Sequence, residues 1–288
     1  MDKINLSLLR GICQMPAYVA YEKGFFKEEG LAVSLTIEPT AWMVPHKFNT
    51  GESHFAVIPW TRVAAAKEKD IPLVLICGSG FEEAAIVVRK GINLSEIKKI
   101  AVPQQGGMKD LSAMGLIDSL GWKDIEIIRL PSGDGAILSL VGMGADATSM
   151  VEPYATMMER LGIGTVIKRT GDVWQGAPGC SLTTTVAMKD AHAEIVQSVV
   201  KAFVRGALFV KKNPEESADI ASLYIGINAK FIRNALENNQ PDVDAIRNGK
   251  AMDAILSLML KLGYIKKYPI NYIDLSFLDK AKETLKMR

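Results

Sequence analysis

The stretch from residue 4 to residue 33 constrains the fold most. Ile4, Leu6 and Leu8 alternate with polar positions, the period of a strand with one buried face. Leu9-Arg10-Gly11-Ile12-Cys13-Gln14 follows at the strand's carboxyl end, where open α/β sheets hold their ligands. Ala17, Ala20 and Tyr21 then recur at helical spacing, Gly24 stops that helix, and Gly30 turns the chain into a second strand near Val33. Strand, loop, short helix and strand within thirty residues predict an α/β protein.

The same grammar recurs along the chain. Val33–Ile37 reads as a strand ending at Glu38-Pro39-Thr40, with Thr40 as the expected cap of a helix carrying Trp42, His46 and Phe48. Phe55–Ile58 is a buried strand presenting Pro59, Trp60 and Thr61, and Pro72–Cys77 is another, ending in Gly78-Ser79-Gly80, with a helix over Val63–Lys69 between them. Ala85–Val88 reads as a strand leaving this unit, and the pattern restarts at Ile100–Pro103, Gln104-Gln105-Gly106-Gly107 and a helix over Asp110–Gly121. Ile125–Leu130 leads into Pro131–Gly135 and a helix over Ala136–Met143, and Asp146–Met150 leads into Glu152-Pro153-Tyr154. Thr183–Met188 reads as a strand returning to the first unit, and helices are expected over 195–211, 214–223, 229–236 and 250–262. The expectation is two lobes, 1–84 plus 187–288 and 85–186, joined by two crossing strands that act as a hinge.

Composition removes several function classes. With 34 basic and 32 acidic residues the formal charge is +2, and the basic residues are scattered, so neither nucleic acid nor an anionic membrane is implied as a partner. No apolar run approaches the length of a membrane span. Cys13, Cys77 and Cys180 are far apart and odd in number, so no disulfide framework or Cys-X-X-Cys motif is present, and His46, His54 and His192 lie on separate elements. No metal or other cofactor is expected. Because Lys3 lies almost at the first strand, with no secretory segment before it, a cytosolic location is expected; the alternative is a periplasmic protein whose amino terminus was trimmed.

The phrase Ala20-Tyr-Glu-Lys-Gly-Phe-Phe-Lys-Glu-Glu-Gly-Leu31 resembles the opening signature of solute-binding proteins for nitrate, sulfonate, taurine and related ligands. That family also includes thiamine-pyrimidine synthases and an aryl-sulfinate desulfinase. The resemblance implies a two-lobed, type II periplasmic-binding-protein fold closing on a small organic molecule and, in an exported setting, an ABC permease as partner. Fold alone does not assign chemistry, so the sites are argued separately.

Strand-end loops from both lobes supply the candidate ligand residues: Arg10, Gly11, Cys13, Gln14, Thr40, Trp42, Trp60, Thr61 and Ser79, then Gln104, Gln105, Gly106, Gly107, Ser132, Asp134, Glu152 and Trp174. Gln104–Gly107 ahead of a helix aims backbone amides at the cleft, suited to a carboxylate, sulfonate or phosphate, though the same residues also make a plain tight turn. Lys109 adds charge there or is simply solvated. Tyr18, Trp42, Trp60 and Trp174 offer an apolar or stacking wall, or else belong to the core. Glu152 and Asp134 serve a cationic or hydroxyl group, or a helix start.

Two readings of function lead, with a noncatalytic cytosolic sensor as a third. The first is an ABC-type substrate-binding protein for a small, anionic organic ligand. The alternative is a cytosolic enzyme of the same fold, because Cys13 and His46 are similar in placement to the cysteine and histidine of the desulfinase, and a thiolate beside an imidazolium is the reactive form. The desulfinase's arginine followed by two glycines has no match here, where Asn49-Thr50-Gly51 stands. The cysteine-rich run of the pyrimidine synthases is also missing around Cys180, and Arg62 stands where their reactive histidine falls.

Overall fold

The computed structural model describes residues 3–66 and 71–287. In chain order it contains β1 (Lys3–Leu8), α1 (Met15–Glu22), α2 (Phe25–Glu28), β2 (Ala32–Ile37), α3 (Val44–Asn49), β3 (Phe55–Pro59), α4 (Trp60–Ala66) and β4 (Leu73–Gly78). The chain continues through β5 (Ala84–Arg89), β6 (Lys99–Pro103), α5 (Met108–Leu120), β7 (Glu126–Leu130), α6 (Gly133–Val141), β8 (Ala147–Val151), α7 (Tyr154–Arg160) and β9 (Gly164–Arg169). It closes with β10 (Cys180–Thr185), α8 (Val186–Ala191), α9 (Ala193–Lys212), α10 (Pro214–Ile225), α11 (Ala229–Leu236), α12 (Gly249–Lys261) and α13 (Ser276–Thr284).

Two five-stranded sheets result, ordered β2-β1-β3-β10-β4 and β7-β6-β8-β5-β9. In the first, β1 pairs parallel with β2 and β3, whereas β10 runs antiparallel between β3 and β4. The second repeats the plan, with β6 parallel to β7 and β8 and with β5 antiparallel between β8 and β9. In each sheet the antiparallel strand is the one that crosses over from the other lobe. It therefore begins where its parallel neighbours end, and both crossing strands start at the same crevice as the carboxyl ends of β1, β3, β6 and β8.

The crossings lie side by side. Gly80 N donates to the Cys180 carbonyl at 2.6 Å, and Gly179 N donates to the Gly80 carbonyl at 2.8 Å. A side chain at Gly80 would press on the Glu83 carboxylate and the Cys180 amide, which explains glycine there. The C-terminal helices thicken the first lobe: α9 packs on α1 and α13, and Gly206 on α9 allows close approach to the Pro16 carbonyl. Among the described residues no helix is long and apolar enough to cross a membrane.

Several boundaries differ from the sequence reading. The returning strand is Cys180–Thr185, and Thr185 caps α8 by accepting from Met188 N at 3.0 Å, so helix stands where Val186–Met188 was expected as strand. From Cys180 the chain pairs within the first sheet. The second lobe's helix α6 begins at Gly133, because Ser132 accepts from Gly135 N at 3.1 Å and caps it. Thr40 makes no capping bond, and a short 3-10 turn over Ala41–Met43 comes between it and α3. Trp60 opens α4 rather than a loop, and of the helix expected over Val63–Lys69 the part from residue 67 lies outside the described residues.

Candidate functional site

The crevice between the sheets contains a cavity of about 100 Å³, room for a small organic ligand. Arg10 and Cys13 reach it from the β1–α1 loop, and Glu38–Ala41 from the end of β2. Pro59 and Arg62 line it from the β3–α4 junction, and Gln104, Gly107, Met108 and Lys109 from the end of β6. Gly133, Asp134, Val151 and Tyr154 complete the second lobe's wall, while Glu83 and Cys180 lie where the crossing strands begin.

The lobes are shut on one another around this space. Arg10 pairs with Asp134 at 3.5 Å, the Thr61 hydroxyl donates to the Gly106 carbonyl at 3.1 Å, and Arg62 Nη2 donates to the Gln104 carbonyl at 3.4 Å. At the hinge side, Ile12 N donates to the Glu152 carbonyl at 3.2 Å. The described conformation is closed.

The lining carries three cations, Arg10, Arg62 and Lys109, and three acids, Glu38, Glu83 and Asp134. Glu38 is neutralised by Lys47 at 2.7 Å, and Asp134 by Arg10. Among the described residues, neither Arg62 nor Lys109 has a carboxylate at ion-pair distance. Burial holds the pKa of both below the usual value, the direction expected for a cation in need of a counter-charge. Beside them, α5 starts at Gly107 with no side chain capping it, so the positive end of a 13-residue helix faces the cavity. Gly106 N is already engaged, donating to Asp110 Oδ2 at 2.7 Å, which fixes the loop's shape. Burial also pushes the Tyr154 hydroxyl up to about 12, keeping it a neutral donor.

The cavity floor has a different character. Cys13, Glu83 and Cys180 are buried there, with one ligand-capable atom from each within 4.8 Å of the others. Burial raises the Cys13 thiol and the Glu83 carboxyl, and the contact with Cys13, together with burial, raises Cys180.

Of the residues the sequence put forward, Arg10, Cys13, Thr40, Gln104, Gly107 and Asp134 line the cavity. The others have structural work. Gln14 is buried, accepting from Leu9 N at 3.1 Å and donating to Cys13 Sγ at 3.1 Å. Ser79 donates to the Cys13 carbonyl at 2.5 Å, and Thr61 latches the lobes. Gly11 lies buried against the Glu152 carbonyl. Ser132 caps α6, Gln105 points to solvent, and Gly106 packs beneath Arg62.

The aromatic wall is not there. Trp60 is fully buried, donating to the Pro178 carbonyl at 3.0 Å, and Tyr18 bonds the Leu9 carbonyl and stacks on Tyr224. Trp42 is exposed away from the cavity lining, and Trp174 packs on Gly115 of α5. Trp60, Tyr18 and Trp174 find packing within the protein, and for Trp60 the strand-end position does not outweigh it. Glu152 is fully buried in an ion pair with Arg169 and accepts from Thr156 N at 3.0 Å.

The Cys13–His46 pair is corrected as well. His46 lies exposed on α3, outside the cavity lining and outside the groups that act on the Cys13 thiol. Burial raises the pKa of that thiol, the direction away from the thiolate form.

Sequence reasoning missed Arg62 and Glu83 as cavity residues, left Lys109 undecided, and placed Cys180 only within a loop, 174–180, that could line the cleft near the hinge. One signal was available: Glu82-Glu83 directly precedes the wholly apolar run Ala84–Val88, so a carboxylate enters the interior with that strand.

The model of the NMT1-like family matches residues 2–225, more than three quarters of the chain. Among solved structures, the chain is similar to the zinc-bound ligand-binding component of an ABC-type import system from Staphylococcus aureus, with a TM-score of 0.85 at 16% identity over 98% of this chain and 99% of that one. The alkanesulfonate-binding protein SsuA from Xanthomonas axonopodis pv. citri, bound to MOPS, gives 0.82 at 13% identity over 96% and 99% of the two chains. The periplasmic nitrate-binding protein NrtA from Synechocystis PCC 6803 gives 0.80 at 13% identity over 99% and 89%. No curated protein matches the chain. At these identities the likeness establishes the periplasmic-binding-protein fold.

Proposed function

The chain belongs to the NMT1-like family, and from that premise we propose that it is the solute-binding component of an ABC-type importer, closing on a small organic anion. One observation carries the reading: Arg62 and Lys109, half-buried and without a carboxylate at ion-pair distance, converge with the start of α5 on a closed cavity. An anion bound there recovers the solvation both cations lose. The sulfonate and nitrate bound by the structural neighbours are of this charge class.

The two lobes move as bodies about the paired crossings near Gly80 and Gly179. The liganded, closed form is what a membrane permease receives. An import role places the protein outside the cytoplasm, and the cytosolic expectation gains no support from these neighbours, one of which is described as periplasmic.

Calorimetric titration with small organic sulfonates, carboxylates and nitrate, paired with solution scattering, tests the reading. At least one anion should bind and compact the particle, and Lys109→Ala should weaken it by at least tenfold, about 1.4 kcal/mol. A panel in which no anion binds overturns the proposal.

A further inference from the structure

The cavity floor carries chemistry that anion binding does not use. We infer that Cys13, Cys180 and Glu83 form a site for a thiophilic divalent cation of the zinc class, with its fourth coordination position open to the cleft.

Two sulfurs and one carboxylate oxygen lie within 4.8 Å of one another. A tetrahedral zinc site, with Zn–S about 2.3 Å and Zn–O about 2.1 Å, needs donors roughly 3.5 to 3.8 Å apart, so closing onto a cation takes a movement of about 1 Å or less per side chain. The donor set selects the ion. Two thiolates favour borderline-soft cations such as zinc or cadmium, whereas magnesium and calcium require oxygen cages.

Each ligand has outer support of the kind that orients metal-binding side chains. Gln14 Nε2 donates to Cys13 Sγ at 3.1 Å, Ser79 fixes the Cys13 carbonyl at 2.5 Å, and Cys180 N donates to Glu83 Oε1 at 3.1 Å. Glu83 Oε2 is buried with no hydrogen-bond partner, a costly arrangement that a bound cation relieves. Glycine at 80 and at 179 leaves the room this carboxylate occupies, since a side chain at either would collide with it. Because all three ligands line the cavity, the open position admits water or a donor atom of whatever occupies the cleft.

Cobalt(II) added to the thiol-reduced full chain is the probe. The inference expects thiolate-to-cobalt charge-transfer absorption with the intense visible bands of tetrahedral cobalt, displacement by zinc, and a higher melting temperature with zinc but not magnesium. Cys13→Ser and Cys180→Ser should each lower cobalt affinity at least tenfold, whereas Cys77→Ser, whose thiol lies in the β4 core, should leave it unchanged. The spectrum of the wild-type chain decides the matter even where a variant fails to fold. Absence of charge-transfer bands in the folded wild type, or bands undiminished in both serine variants, overturns the inference. Anion titration is a separate measurement, so failure of the import reading and failure of the metal site are distinguishable.

Discussion

The two lobes share one wiring diagram and differ in what covers it. In the first, β3 and β4 are buried along their whole length, and α1, α9 and α13 pack into a core that runs on into β5, β8 and α7 of the second. In the second, β7 is largely exposed, and α6 and the turn after it leave Leu138 and Met143 about 70% exposed. The same sheet topology therefore supports a thickly packed platform and a thinner partner. Lobe stability follows from the apolar area each sheet buries, not from strand order. The platform carries the buried floor of the cleft, and the thinner lobe brings Lys109 and the α5 terminus to it.

Matched truncations break or sharpen this contrast. Trp60→Ala in the platform removes a fully buried ring and leaves the Pro178 carbonyl without its donor, so a loss of about 3–5 kcal/mol is expected in urea unfolding. Ile127→Ala on β7, 37% exposed, should change stability by about 0.5 kcal/mol or less. Equal losses at the two sites end the contrast.

Glycine substitutions give the next largest effect. Gly206→Ala drives a methyl into the Pro16 carbonyl, a backbone atom held between α1 and α9, and should cost about 3 kcal/mol. Gly115→Ala in the thinner lobe meets the Trp174 ring instead, which can shift, and should cost about 1 kcal/mol. A reversed order of melting temperatures argues that the second lobe is the stiffer.

The smallest effect lies at the thinner lobe's Asp146. Burial opposes its charge, but the Lys98 and Lys99 amides and Arg89 outweigh this and hold the carboxyl below its usual 3.8. A depressed folded-state pKa gives stability that is present above the ordinary value and lost as pH falls through the lowered one. Asp146→Asn should therefore flatten the acid limb of the stability curve while costing less than about 1 kcal/mol at pH 7, because the pair is partly exposed and solvent-screened. An unchanged acid limb disproves that role.

Much of the fold was legible because strand and helix periods are local. Ile4, Leu6 and Leu8 announce β1, and the glycine-rich ends of β4 and β6 announce the turns. Misreadings arose where one residue type suits two fates. Trp60 stands at a strand end and Tyr18 on the helix after β1, both places that suit a ligand wall, and Glu152 at a strand end that suits a polar contact, yet each is satisfied inside the protein. His46 follows Cys13 at a suggestive interval, but the fold turns it to solvent.

By itself the sequence determined the alternation of strands and helices, the two-lobed plan and the strand ends that meet at a crevice, since each follows from period, breakers and chain direction. Only tertiary structure decided which side chains the crevice holds. Cys13, Glu83 and Cys180 are 70 and 97 residues apart along the chain and become neighbours because two antiparallel crossing strands begin where the parallel strands end. No local pattern records that meeting, because it is produced by strand order across whole sheets.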